Sequence, residues 1–423
     1  MSRDFDVLIV GAGVVGSAMG ALLLARKICA PGRVGIIAGR LPPDPAPDAD
    51  WGLRVFALSR ASERLLRHCR VWESLPPQRV FAYQRMCVWD AGGAPQGKGS
   101  LSFDCAELGE PNLGYIVEGN ALQRECLRQV KSAGAVLIEG GLQSIDIDNA
   151  QTLIGLNDGR ELRSTLIIAA DGTESMAREL LGIDTAGHPY AQDALVAHVR
   201  TAKPHRDTAW QRFLPGGPLA FLPLPDGRSS VVWSVARSEA KRLTGLDATA
   251  FAGALTAAAD GVLGEVELTT PVAGFPLQLQ YALRYVRPHA VLLGDAAHAV
   301  HPLAGQGLNL GLLDCGALAE VLGDAEDPRE FGDWRLLRRY ERWRRSENLL
   351  AATALDALER LFAGSNPGVS ALRAAGLSAV GKLPLLKRRF AQRALGLIGD
   401  IPDFLRVDAT EEAPTADRSW PRR

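Results

Sequence analysis

Long apolar runs, each followed by a glycine turn, occur in three separate parts of the chain. The segment from Phe5 to Ala38 reads as a strand, a glycine turn, a helix and a second strand. The apolar run Leu166–Ala170 predicts another buried strand, which an Asp-Gly turn follows. A third run, Ala290–Leu293, leads into a glycine-rich turn and a helix predicted to end near Leu322. Apolar runs without alternation are typical of parallel strands that are buried on both faces.

The stretch between the second and third runs alternates between apolar and polar positions, and Pro/Gly turns divide it into short pieces. This pattern predicts antiparallel strands, at Leu195–Val199, Ala209–Leu214, Leu219–Leu224 and Ser229–Val235. Apolar side chains in these strands suit an apolar substrate: Phe213, Leu214, Phe221, Leu222 and Leu224.

Nucleotide-binding patterns therefore occur early, in the middle and late in the chain, with a β-rich insertion between them. We predict an α/β fold with a discontinuous Rossmann-type cofactor domain, an inserted β-rich substrate domain and a C-terminal helical region. The predicted boundaries are 1–75, 110–180 and 285–322 for the cofactor domain, 76–109 and 181–284 for the substrate domain, 323–407 for the helical region, and 408–423 for a disordered tail.

Composition and charge exclude some functions. Lys plus Arg total 47 against 48 for Asp plus Glu, so no global charge favours nucleic acid as a partner. The six cysteines show neither paired nor metal-ligand spacing, which indicates reduced thiols and no metal site. Glycines interrupt the apolar run from Val7 to Ala25, so we expect neither a signal peptide nor a membrane span there, and a cytoplasmic location.

The first glycine turn has the spacing GxGxxG, formed by Gly11, Gly13 and Gly16 directly after the first strand. The first glycine permits a tight turn, the second lets the backbone approach a pyrophosphate, and the third allows close packing of helix on strand. The amides at the start of the following helix would then face the phosphates. The context between a strand and a helix makes this motif specific.

One residue that this motif normally includes is missing. The second strand should end in an acidic residue that binds the adenosine ribose, but Ala38 stands there. Asp44, Asp48 or Asp50 from the following loop could substitute, or the ribose is held less firmly. Arg40 instead suggests that this site binds NADP, because a cation there would suit the 2′-phosphate.

Two further motifs favour FAD over that alternative. The stretch from Ala170 to Arg178 resembles the ADGxxSxxR motif of flavoprotein hydroxylases, with Asp171 and Gly172 at its turn. Gly294 and Asp295 resemble the GD motif, in which the aspartate binds the ribityl hydroxyls of FAD. The sequence continues as HAVHPLAGQGLNLG, where helix-start amides can face the pyrimidine end of the flavin.

Together these motifs resemble the class A flavoprotein monooxygenases, the group of p-hydroxybenzoate hydroxylase. Within that group HPLAGQGLNLGLLD is similar to the ubiquinone-biosynthesis hydroxylases, the UbiH, UbiF and UbiI family, and further matches such as RVFALS, GYIVE and WQRFLP extend over nearly the whole chain. The resemblance implies that Arg54 and Gln123 contact the FAD phosphates and ribityl chain. The predicted FAD-binding residues are Gly11, Gly13, Gly16, Arg54, Gln123, Asp171, Gly172, Gly294, Asp295, Pro302, Gly305, Gln306, Gly307, Leu308 and Asn309.

The resemblance also implies the reaction. NAD(P)H reduces FAD, O2 forms a flavin hydroperoxide, and one oxygen atom passes to the ring of a polyprenylated phenol or quinone precursor. His298 and His301 are candidate catalytic residues, since imidazole can transfer protons near neutral pH. Alternatives are an FAD hydroxylase or reductase acting on another aromatic or isoprenoid substrate, and a non-catalytic member of a quinone-biosynthesis complex.

Two cationic stretches lie near the C-terminus. WRLLRRYERWRR, from Trp334 to Arg345, has six arginines at helical spacing, which favours a solvated helix face. Residues 382–397 combine leucines with cations and suit peripheral contact with the inner face of an anionic cell membrane. A quinone-biosynthesis complex is a further expected partner.

Overall fold

The sequence begins with a strand, a turn and a helix, and the computed structural model shows this unit at the centre of a large sheet. The structure describes residues 4–39, 41, 50–95, 97, 99–148, 151–300, 305–363 and 383–406. The predicted disordered tail, 408–423, lies outside these residues.

The strands of the described part follow in chain order. They are β1 (Asp4–Val10), β2 (Val34–Ala38), β3 (Val55–Leu58), β4 (Val80–Tyr83), β5 (Arg85–Asp90), β6 (Ser100–Asp104), β7 (Gly114–Glu118), β8 (Val136–Glu139), β9 (Leu142–Ile147), β10 (Thr152–Leu156), β11 (Glu161–Ala169), β12 (Thr185–Thr201), β13 (Thr208–Leu214), β14 (Gly217–Pro223), β15 (Ser229–Ala236), β16 (Val266–Leu268), β17 (Ala273–Ala282), β18 (Val286–Arg287), β19 (Ala290–Leu292) and β20 (His298–Ala299).

The helices of the same residues are named in the same way. They are α1 (Val14–Ala25), α2 (Arg60–His68), α3 (Cys105–Leu108), α4 (Gly119–Ser132), α5 (Met176–Leu180), α6 (Arg237–Thr244), α7 (Ala248–Ala258), α8 (Gln306–Gly323), α9 (Trp334–Ala363) and α10 (Pro384–Ala394).

The first sheet is a parallel, doubly wound sheet with the strand order β8-β2-β1-β11-β19. All of β2 and all but the first residue of β1 are buried, as their unbroken apolar sequences predict. The hairpin β9–β10 extends this sheet beside the first half of β11, and β19 pairs with its second half. The strand order reverses between β1 and β11, and ligands of such sheets bind outside the carboxyl ends of the strands at that point.

The second sheet is largely antiparallel and contains the four strands predicted from the alternating segment. Its order is β20-β17-β12-β15-β14-β13-β5-β6, with β16 beside β12. One face packs against α6 and α7 through a cluster that includes Leu219, Phe221 and Trp233. The other face meets the small sheet β3-β7-β4, where Leu222 and Leu224 pack with Ile116. The fold class predicted from the sequence is therefore confirmed.

Within its described residues, the C-terminal helical region contains α9 and α10. Helix α9 packs on α8, and Tyr340 in it donates a hydrogen bond to the carbonyl of Leu292 (3.0 Å). The expectation of a solvated arginine face on α9 is wrong for Arg344, which is 1% exposed. Among the described helices, none combines the length and the hydropathy that a membrane crossing requires.

Candidate active site

The GxGxxG turn connects β1 to α1, and two of its glycines are fixed by close contacts. Gly11 has a left-handed backbone (φ +107°), and a Cβ there would lie 2.3 Å from the carbonyl oxygen of Ala170. A Cβ on Gly16 would lie 2.1 Å from the carbonyl oxygen of Gly11. No described atom lies within 4 Å of the equivalent position at Gly13. The turn therefore packs tightly against the protein but is open at Gly13, where a phosphate would approach.

The family resemblance added Gln123 and Arg54 to the predicted site, and both have contacts around α4. Gln123, on α4, donates a hydrogen bond from Nε2 to the carbonyl of Ala12 (3.1 Å). Arg54 is exposed, and its guanidinium lies 5.0 Å from the ring centroid of Phe56. Its backbone carbonyl accepts a hydrogen bond from the amide of Gly119 (2.8 Å), at the start of α4. Gln123 thus contacts the glycine turn with its side chain, and Arg54 contacts the start of α4 with its backbone.

The Asp-Gly turn after β11 uses its carboxylate locally. Asp171 accepts hydrogen bonds from the Ser175 hydroxyl (2.5 Å) and from the amide of Ala177 (3.0 Å). Gly172 has φ +91°, and no described atom lies within 4 Å of its missing Cβ. The aspartate therefore shapes the turn, while the glycine leaves the space beside it open.

Arg178 joins this second motif to the third. Its side chain is 5% exposed and donates hydrogen bonds to the carbonyls of Ala296 (3.0 Å) and Thr173 (2.9 Å). The arginine of the ADGxxSxxR pattern thus holds the loops after β11 and β19 together.

The third motif presents the carboxylate of Asp295 next to the start of α8. Asp295 is half-buried, and within the described part of the chain no group donates a hydrogen bond to its carboxylate. Burial raises the pKa of Asp295, although the charges of His298 and Arg54 act in the opposite direction. Gly307, in the first turn of α8, would place a Cβ 4.0 Å from Asp295 Oδ1. A ligand with hydroxyl groups would supply the donors that this carboxylate lacks.

Helix α8 starts beside Asp295 with a glycine in a left-handed conformation, Gly305 (φ +63°). Gln306 and Gly307 form its first turn, and Leu308 packs against the core of the doubly wound sheet. The amides of a helix start carry partial positive charge. They can therefore face the electron-rich end of a flat ring.

The side chain of Asn309 makes its hydrogen bonds within the protein. It is 3% exposed, and its Oδ1 accepts hydrogen bonds from the Ser59 amide (2.9 Å) and the Ser62 hydroxyl (2.6 Å). Its Nδ2 donates to the carbonyls of Ala57 (2.8 Å) and Gly305 (3.1 Å). The side chain is fully used in fixing α8 to the start of α2, so only its backbone remains for a ligand.

Of the two candidate histidines, His298 lies within the described residues. His301 lies outside the described residues, as does Pro302. His298 is 1% exposed, and its Nε2 lies 2.5 Å from Asp314 Oδ2. Its Nδ1 has no hydrogen-bond partner in the described part of the chain.

Asp314 is a functional-site neighbour that the sequence analysis missed. It is fully buried and accepts hydrogen bonds from the Gly294 amide (3.2 Å), Arg344 Nε (2.8 Å) and Asn348 Nδ2 (2.9 Å). Burial raises its pKa, but the neighbouring His298 and Arg344 outweigh burial and lower it to about 2. Its partners on α9 are 30 and 34 residues away, so no local pattern could identify them.

None of the loop residues considered in place of an acid at Ala38 is seen as a free carboxylate in the described residues. Asp44, Asp48 and Arg40 lie outside the described residues. Asp50 is described, but Arg228 donates hydrogen bonds to both of its carboxylate oxygens (2.8 and 2.5 Å).

The apolar residues expected to contact substrate divide between the two faces of the antiparallel sheet. Phe221 and Leu214 belong to the face under α6 and α7. Leu222 and Leu224 lie on the face that meets β3-β7-β4. A cavity of about 1050 Å³ lies at the β5–β6 edge of the sheet, lined by residues such as Met86, Phe103 and Trp210, and we assign it no part in the chemistry.

The cysteines offer no nucleophile. All six are unpaired and buried, and burial raises the pKa of Cys29 to about 12. A thiol with so high a pKa is protonated at neutral pH and therefore unreactive.

Comparison with known proteins agrees with the geometry. The model of the FAD binding domain family matches residues 142–352. The chain is 34% identical over 401 residues to 3-demethoxyubiquinol 3-hydroxylase of Escherichia coli, covering 94% of this chain and 100% of that relative. It is 35% identical to ubiquinone hydroxylase UbiL of Rhodospirillum rubrum, covering 93% and 90%. It is 32% identical to the mitochondrial ubiquinone biosynthesis monooxygenase COQ6 of Danio rerio, covering 91% and 88%.

Solved structures show the same fold. p-Nitrophenol 4-monooxygenase PnpA of Pseudomonas putida superposes with a TM-score of 0.73 at 19% identity, over 93% of this chain and 99% of that one. PqsL, a probable FAD-dependent monooxygenase of Pseudomonas aeruginosa, gives a TM-score of 0.69 at 25% identity, over 89% and 100%. Because relatives above 30% identity span nearly the whole chain, this protein belongs to the FAD-dependent hydroxylases of ubiquinone biosynthesis.

Proposed function

We propose that the protein hydroxylates an aromatic ring of a polyprenylated phenol or quinone precursor in ubiquinone biosynthesis, with FAD as cofactor and NAD(P)H and O2 as co-substrates. The observation that carries the proposal is the carboxylate of Asp295 beside the start of α8, to which no group in the described residues donates a hydrogen bond. The hydroxylases of Escherichia coli and Rhodospirillum rubrum support the choice of substrate class.

The residues around that carboxylate fit an extended FAD. The turn of Gly11, Gly13 and Gly16 and the amide end of α1 would hold the pyrophosphate. Asp295 would accept hydrogen bonds from ribityl hydroxyls, with Arg54 and Gln123 near the phosphates and ribityl chain. The first turn of α8 would face the pyrimidine end of the ring, and the loops at Gly172 and Gly294 would border it.

FAD, when bound, takes two electrons from NAD(P)H and activates O2, so that one oxygen atom enters the ring and the other leaves as water. The protein binds the ring, aims helix amides at the flavin, and excludes water from the site. Apolar residues on the face of the antiparallel sheet that meets β3-β7-β4, such as Leu222, are suited to that exclusion. His298, held by Asp314 through Nε2, is a candidate for holding a proton at Nδ1.

We assign the domain roles as the sequence predicted them. Residues 1–75, 110–180 and 285–322 would bind FAD, and 76–109 and 181–284 would shape the substrate site. The membership of β5, β6 and β12–β17 in the same largely antiparallel sheet supports the second assignment.

The test uses the purified full-length protein. We expect flavin absorption bands near roughly 375 and 450 nm, the sign of the bound redox cofactor. NADPH or NADH oxidation should accelerate when a polyprenylphenol is added, and oxygen from 18O2 should appear in the ring. Bound FAD with oxidation that yields only peroxide would refute the substrate class, and failure to bind added FAD would refute the function.

A lipid-soluble substrate would be reached at the inner face of the cell membrane, and α10 has a surface suited to that contact. Ala391 is buried against the body of the protein, whereas Leu385 is 82% and Phe390 is 55% exposed. Arg388 and Arg389 are also exposed. Exposed apolar side chains beside arginines are typical of helices that lie on anionic bilayers.

Vesicle flotation tests this surface. The wild-type protein should float with phosphatidylglycerol-containing vesicles, and the double variant Leu385→Glu, Phe390→Glu should stay in solution. Ile147→Glu, at a partly exposed residue of β9, is the control and should float. If the double variant floats equally well, the surface is better explained by a protein partner in a quinone-biosynthesis complex.

A further inference from the structure

The strand that should carry the ribose-binding acid ends without one. Strand β2 ends at Ala38, which is 7% exposed. Asp50, the described loop acid, has both carboxylate oxygens bonded to Arg228. A carboxylate is needed there because the 2′- and 3′-hydroxyls of an adenosine ribose are hydrogen-bond donors.

The neighbouring strand β8 carries a carboxylate directly beside Ala38. Strand β8 runs parallel to β2, and its last residue, Glu139, pairs with Ala38 in register. Paired residues of parallel strands direct their side chains to the same face, about 4.8 Å apart. The Gly140 amide donates a hydrogen bond to the Ala38 carbonyl (2.9 Å), which fixes the two strand ends together.

The Glu139 carboxylate is available for a ligand. The residue is exposed, and within the described ranges its carboxylate takes part in neither a hydrogen bond nor an ion pair. Arg160 bonds the backbone carbonyl of Glu139, and its guanidinium is paired with Asp158. Beyond Ala38, no described atom lies within 4 Å of the missing Cβ of Gly39, so the space beside the strand end is open.

We propose that Glu139 is the carboxylate that binds the adenosine ribose of FAD, in place of an acid at Ala38. This inference rests on the proposed function, because it concerns the same cofactor. A glutamate on the adjacent strand can span the interstrand distance, since its side chain has one more carbon than aspartate. Its negative charge would also repel a 2′-phosphate, which argues against NADP in this site.

The experiment measures the Kd of FAD for the full-length protein freed of its flavin, by quenching of flavin fluorescence. Glu139→Gln should weaken FAD binding about 10-fold to 100-fold, the usual effect of losing hydrogen bonds to a charged group. Binding of FMN, which has no adenosine, should not change. Glu161→Gln is the matched control, because Glu161 is an exposed glutamate at the start of β11 in the same sheet.

A rescue variant separates a direct contact from a structural effect. Adding Ala38→Glu to Glu139→Gln restores a carboxylate on β2, so FAD affinity should return toward that of the wild type. The proposal is overturned if Glu139→Gln binds FAD within twofold of the wild type, or if it weakens FMN equally. A wild-type protein that binds no FAD would instead refute the proposed function.

Discussion

Asp295 is a residue at which folding and binding oppose each other. Burial raises its pKa, so its charged form is less stable in the folded protein than in the unfolded chain. For a carboxyl group with a raised pKa, this penalty sets in above the pKa of the unfolded chain and is therefore present at neutral pH. Asp295→Asn should raise the thermal unfolding temperature of the flavin-free protein and weaken FAD binding about 10-fold to 100-fold.

Both effects are measurable on the same sample, by calorimetry and by flavin titration. Asp146→Asn, an exposed aspartate on β9, is the control and should alter neither. A variant that loses stability without FAD would show that Asp295 has a structural partner, and unchanged FAD binding would remove it from the cofactor site.

Among the elements, the contact between α1 and α8 leaves no room for a side chain at Gly311. A Cβ there would lie 2.9 Å from Val15 Cγ2 and 3.2 Å from the Cα of Gly294. Gly311→Ala should lower the free energy of unfolding by about 1–3 kcal/mol, as overpacking does. Val15→Ala, added to Gly311→Ala, should recover part of that loss, which denaturant unfolding would measure.

Gly323, at the other end of α8, provides the matched control. Its Cβ would have one described neighbour, Ile28 Cδ1, at 3.8 Å. Gly323→Ala should therefore be neutral or slightly stabilising, because alanine favours helix. If both alanine variants behave alike, helix propensity and not the α1–α8 contact decides the effect.

At the scale of the whole molecule, Asp314 links the loop after β19, α8 and α9. Burial raises the pKa of Asp314, but His298 and Arg344 outweigh burial and lower it to about 2. A lowered carboxyl pKa stabilises the fold above the unfolded value, and the contribution is lost as pH falls through the folded value. We expect roughly 2 kcal/mol of stability from this group to disappear between about pH 4 and pH 2.

Urea unfolding of the wild type and Asp314→Asn at several pH values would measure this contribution. The variant should be less stable by about 3–5 kcal/mol at neutral pH, because Arg344 is left buried without its carboxylate. The difference between the two proteins should shrink in acid. A difference that is independent of pH would mean that the charge of Asp314 does not stabilise the fold.

Much of the doubly wound sheet was predictable because its signals are local. The apolar run of β1 and the glycines that follow it need only a few neighbouring residues to be recognised, since tight turns require left-handed backbone angles at fixed positions. The strands β13 to β15 were predicted from alternation, but alternation does not reveal which face is covered. For that reason the sequence did not separate Phe221, which packs under α6 and α7, from Leu222, which lies on the opposite face.

By itself the sequence determined the fold class, the three motif turns and the family, because each depends on residues close together in the chain. Only the tertiary structure decided which distant groups meet. Arg344 is buried against Asp314, 30 residues away in sequence, and Arg228 donates hydrogen bonds to Asp50. The register of β2 and β8 places Glu139 beside Ala38. These pairings depend on the packing of elements distant in sequence, and one-dimensional periodicity carries no information about them.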